Sequence, residues 1–127
     1  MNKADLISKI HLIISIPIVV CAAIIYGFFP DLLLDIKPVA VDEHNLLKAI
    51  MLLYLGFSIL WIYGLVSKTY FKVALISHMI FMLALATGRL LSMVLDGNPS
   101  DAYIYGTVGE LILGLYGLWV MRTNPSK

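Results

Sequence analysis

Four long apolar runs settle the fold class of this chain before any other feature is considered. Residues 12–29 and 49–67 carry no charged side chain, residues 73–95 carry only Arg89, and residues 102–121 carry only Glu110. A hydrocarbon core about 30 Å thick takes about 20 helical residues to cross. Backbone groups in lipid must be satisfied internally, and runs of this length are too long for barrel strands. The expected fold is an all-α membrane protein. It is a four-transmembrane-helix antiparallel bundle with helices at about 5–29, 42–66, 70–96 and 100–122, a single domain over residues 1–127. The 61% hydrophobic content, against roughly 45–50% in soluble domains, points the same way.

Lys3 and Lys9 resemble the basic start of a signal peptide, but the run that follows is longer than a signal core and lacks a small-x-small cleavage site. It is expected to remain as a helix. Charge in the short flanks sets the orientation. Lys3, Lys9, Lys68, Lys72, Arg122 and Lys127 flank one side. Lys37 alone stands among Asp31, Asp35, Asp42, Glu43, Asp96 and Asp101 on the other. The positive-inside rule then puts both termini in the cytoplasm. The basic residues are spread along one membrane face, so no nucleic-acid partner is expected. Cys21 has no second thiol and is read as a packing residue. No zinc-binding His pair, nucleophile elbow or phosphate loop is present, so neither a cofactor nor an enzyme is expected.

Local signals place the ends. Asp5 is the expected cap of the first helix, and Pro17 is expected to kink it. Leu32, Leu33 and Leu34 are too apolar for a solvated loop, so residues 30–41 are expected to form a helical turn at the outer interface, covering the bundle. Asp42 is the expected cap of the second helix, with Glu43 in its first turn. Residues 67–70 read as a tight turn, while Gly97 ends the third helix and Pro99 helps start the fourth.

Within this frame, two charges need a reason. A charged side chain at the centre of an isolated membrane helix costs roughly 2.5–3.5 kcal/mol on insertion scales. Arg89 and Glu110 fall at matching depth, about 12–14 Å in from the outer turn of their helices, so an ion pair is expected. Ser92 and Asp96 share the face of Arg89, and Tyr103 and Thr107 share that of Glu110. Lys48, with Asn45 and His44 one turn above it, enters from the second helix. The expected ligand-binding site is therefore Lys48, Arg89, Glu110, Asp96, Ser92, Asn45, His44, Tyr103 and Thr107. A cation beside Asp96 would offset the unfavourable dipole at its helix end.

Plainer roles compete. Arg89 and Glu110 could serve only to join two helices, and Lys48 could snorkel to the interface. His78 reads as a hydrogen-bonded core residue, and the glycines of the fourth helix read as a close-packing face. Trp61, Tyr63, Tyr103 and Tyr105 read as interfacial aromatics. His11 and His44 are expected at opposite surfaces.

Thr87-Gly88-Arg89-Leu90-Leu91-Ser92, then Asp96-Gly97-Asn98-Pro99-Ser100, Glu110-Leu111 and Leu113-Gly114 together resemble the bacterial membrane proteins grouped as domain of unknown function 4345. Phe29-Pro30 and Asn45-Leu46-Leu47-Lys48-Ala49 resemble that family as well, although arginine is commoner there at the position of Lys48. A remoter likeness, by architecture alone, is to the DoxX-like four-helix proteins. The resemblance implies a small multi-pass protein of the bacterial inner membrane and implies no activity. The residues favour a module binding an anionic or amphiphilic, lipid-like ligand. The alternatives are a proton-coupled transporter working as a homodimer through Glu110, and an accessory subunit of a membrane complex. Small multidrug transporters have similar length, but their essential acid resembles one in the first helix, which has none here.

Overall fold

The computed structural model describes residues 1–123, so Lys127 of the orientation count lies outside the described residues. It contains four helices and, among the described residues, no strand: α1 (Lys3–Phe28), α2 (Val41–Val66), α3 (Lys68–Asp96) and α4 (Asp101–Thr123). All four are long and apolar enough to cross a membrane, and no more than 33% of any apolar window is buried against the rest of the chain. Ile18, Leu52, Leu53, Ile59, Ile80 and Leu115 all stand exposed on the outer faces. So much contiguous apolar surface needs an apolar surrounding.

Helix ends follow ordinary capping chemistry, with two corrections to the expected caps. Asn2, not Asp5, caps α1, its Oδ1 accepting the Asp5 N–H at 2.8 Å. At α2 the cap position is Ala40, not Asp42, and Glu43 in the first turn reaches back to accept the N–H groups of Val39 and Ala40. Asn2 thus satisfies an orphan donor of the first turn of α1, whereas Glu43 ties down the chain that leads into α2. The α1 helix runs through Pro17 without a break. Residues 30–40 form a turn followed by irregular chain, with Leu32 and Leu33 exposed, in place of the helical turn expected over 30–41. Ser67 alone separates α2 from α3, a tighter connection than residues 67–70. Gly97, at φ 106°, ends α3 in a conformation that side chains rarely adopt.

Neighbouring helices pack in chain order, α1 on α2, α2 on α3 and α3 on α4, while α1 and α4 touch only lightly. Lys9 near the start of α1 donates to the Leu65 carbonyl near the end of α2 at 3.4 Å. Lys48 near the start of α2 donates to the Gly27 carbonyl near the end of α1 at 3.1 Å. The core runs through Leu12, Val19, Trp61, Leu75, Met82 and Val120. Trp61 is fully buried, and Cys21 is exposed, each opposite to its expected place. Gly64 lets α2 and α3 close on their one-residue connection, because a Cβ there would collide with that of Ala74.

Candidate functional site

Arg89 is the hub of the polar site. Its Nε donates to Glu110 Oε1 at 2.8 Å and its Nη2 donates to the Tyr26 hydroxyl at 3.3 Å. Its guanidinium carbon lies 5.1 Å from the centre of the Tyr103 ring. One side chain thus joins α1, α3 and α4 through a charge-assisted bond, a phenol and a cation–π contact. Both members of the ion pair are largely shielded, with side chains 18% and 13% exposed. Guanidinium offers five N–H donors in a fixed fork. Two are engaged here, leaving three for another partner. Tyr26 accepts from arginine, and its hydroxyl also bonds with the phenols of Tyr54 and Tyr103.

Two cavities flank this hub. One of about 620 Å³ lies where α1 and α4 part, and runs from Tyr103 and Glu110 past Cys21 to Pro17 and Leu113. Another of about 570 Å³ lies between α2 and α3, bounded by Ile50, Leu53, Gly88, Ser92 and Pro99. Arg89, Tyr26, Tyr54, Leu85 and Tyr103 line both. Tyr54 is held edge-on by Tyr26 at 5.5 Å and by Phe81 at 5.0 Å.

The expected site residues divide clearly. Arg89, Glu110 and Tyr103 come together, and Ser92 lines the α2–α3 cavity. Asp96 accepts from Ser92 at 2.8 Å rather than from a cation. Lys48 stays away from the pair, with its ammonium on the Gly27 carbonyl and 5.3 Å from the Phe28 ring centre. There it meets the unpaired carbonyls at the end of α1, a favourable place for a cation. His44 and Asn45 are exposed on the first turns of α2. Thr107 is buried and donates to the Tyr103 carbonyl at 2.7 Å, a bond within its own helix. The deep charges are therefore Arg89 and Glu110, without the Lys48 that was expected to join them.

Sequence reasoning missed Tyr26 and Tyr54. A tyrosine within a charge-free apolar helix, four residues before Pro30, was the available signal for the first. It also missed a second polar cluster. His11 is 1% exposed, not superficial, and packs edge-on to His78 with ring centres 4.9 Å apart. Ser15 Oγ donates to the His11 carbonyl at 2.6 Å and lies 2.7 Å from His78 Nε2. With the hydroxyl proton spent, His78 Nε2 is the donor and its Nδ1 carries a lone pair. That nitrogen and both of His11 are buried without a partner. Trp61 closes the cluster, 4.9 Å from the His78 ring, with its Nε1 donating to Ser77 at 3.2 Å.

The glycines of α4 serve both regions. A Cβ on Gly114 would meet Leu83 Cδ2 at 2.7 Å, so this glycine permits close packing as expected. Gly106 and Gly109 have nothing within 4 Å and form cavity wall instead. Among the described residues, no group of three His, Cys, Asp or Glu side chains is placed to hold a metal ion.

No curated protein and no solved structure matches the chain. A protein-family model matches residues 7–121, nearly the whole molecule, including both polar clusters and the Gly-Arg-x-x-Ser segment around Arg89. The chain belongs to the family described as Domain of unknown function (DUF4345).

Proposed function

We propose that this protein is an antiparallel four-helix bundle of a bacterial inner membrane, with both termini cytoplasmic, and that its Arg89 site binds an anionic or amphiphilic, lipid-like ligand. The contacts of Lys9 with the end of α2 and of Lys48 with the end of α1 support the antiparallel arrangement. The basic flanks around residues 3–9 and 68–72 support the orientation.

One observation carries the ligand reading. A guanidinium with unspent donors stands at the junction of two largely apolar cavities. Polar groups in such surroundings are costly to leave unpaired, and a headgroup with apolar chains satisfies donors and cavity walls together. Glu110 takes the Nε proton and Tyr26 one proton of Nη2, which leaves three N–H donors for a phosphate or carboxylate.

Native mass spectrometry of protein released gently from membranes tests this, beside Arg89→Gln. The expected result is a stoichiometric amphiphile on the wild type and its loss from the variant. A bare wild-type protein overturns the reading. If proton release on substrate addition then disappeared in Glu110→Gln, proton-coupled transport by a homodimer would replace it. A co-released second protein with no bound amphiphile would make the chain an accessory subunit.

A further inference from the structure

We infer that the ligand is a two-chain amphiphile with a phosphate-type head, its chains descending from the Arg89 hub along different sides of the bundle. This rests on the binding reading above and narrows it to one ligand class.

The two cavities are similar in size, about 620 and 570 Å³, and the residues they share cluster at the hub. Away from it they diverge. The α1–α4 arm descends from Tyr26 to Pro17, nine residues of helix or about 13 Å. The α2–α3 arm continues into an adjoining cavity of about 480 Å³, which shares Leu53, Tyr54, Ala84 and Leu85 with it and reaches Ser77. From Gly88 to Ser77 is eleven residues, or about 16 Å. A single chain would fill one arm and leave the other without contacts. A two-chain molecule headed at Arg89 fills both.

The hub itself suits a phosphate. Beside the bonds to Glu110 and Tyr26, three guanidinium N–H groups remain to donate to phosphate oxygens. The Tyr103 ring lies under the guanidinium at 5.1 Å and adds a cation–π attraction that helps keep it in place. Glu110 makes the bare site neutral with Arg89, so the bound head carries the net charge, and a phosphate monoester or diester meets the free donors without displacing the carboxylate.

Two glycines allow each arm to be blocked separately. Gly88 lines the α2–α3 arm and Gly106 the α1–α4 arm, and neither has any atom within 4 Å of an added Cβ. The delipidated full chain is offered dioleoyl phosphatidate or oleoyl lysophosphatidate in detergent, and bound mass is read by native mass spectrometry. The wild type should retain the two-chain lipid at least tenfold better, undiminished by inorganic phosphate. Gly88→Leu and Gly106→Leu should each remove that preference while leaving lysophosphatidate bound. Equal retention of both lipids by the wild type, or a two-chain preference surviving both variants, would overturn this inference and leave the binding reading intact. Retention of neither lipid, by a wild type that melts cooperatively, would overturn the phosphate head and this inference with it; the binding reading falls only if the protein released from membranes is also bare.

Discussion

The Arg89 cluster and the His78 cluster are both polar knots inside the same apolar bundle, yet their surroundings differ. Around Arg89 the helices part, two cavities open, and a charged fork keeps unspent donors. Around His78 the helices are drawn together by the one-residue connection at Ser67, and Trp61, Leu12 and Leu75 seal the space. On the proposed reading the first knot has donors and volume to take a partner, whereas the second lies packed among the core side chains. Under that reading, what distinguishes a binding site from a structural knot in such a bundle is accessible volume beside the polar groups.

The largest expected effect tests whether the Arg89 knot is also structural. Removing either partner of a shielded ion pair leaves the other uncompensated and costs about 3–5 kcal/mol. Arg89→Leu and Glu110→Leu should each lose about that much in reversible unfolding in detergent, and the double variant should recover most of it. If the double variant were as unstable as the singles, Tyr26 and Tyr103 would matter more than charge balance.

The glycines of α4 carry the comparison along one helix. Gly114→Ala should cost about 1–3 kcal/mol, because the added Cβ meets Leu83 at 2.7 Å and Met82 at 3.2 Å. Gly106→Ala, facing a cavity, should change stability by no more than about 0.5 kcal/mol. Equal losses at both positions would mean that the α1–α4 gap closes in the membrane.

Between these lies the sealed knot. Ser15→Ala removes one interhelical bond to His78 and should cost about 0.6–1.7 kcal/mol, as such bonds do within membranes. It should leave lipid retention unchanged. Loss of bound amphiphile in Ser15→Ala would join the two knots into one site and undo the contrast.

Much of this was legible in the chain. Each helix was visible as a charge-free or nearly charge-free run, and each boundary fell within three residues of expectation. The Arg89–Glu110 pair was visible because rise per residue converts sequence position into depth. Lys48 was misjudged because depth says nothing about rotation. Its long stem reaches the end of α1, where unpaired carbonyls hold it. Trp61 and His11 were misjudged for a related reason. Near a run's end, an aromatic or imidazole suits an interface as well as a core, and only the facing helices choose.

The amino-acid sequence by itself determined four membrane-length helices, their order, and the depth of the two intramembrane charges. All three follow from local quantities: hydrophobic length, turn chemistry and helical rise. The tertiary structure alone decided which face of each helix turns inward, where α1 parts from α4, and which tyrosines meet Arg89. A helix that is apolar all round carries no amphipathic stripe to aim it. Its rotation is set by close packing of small residues and by the few side-chain bonds between helices, which exist only once the helices have met.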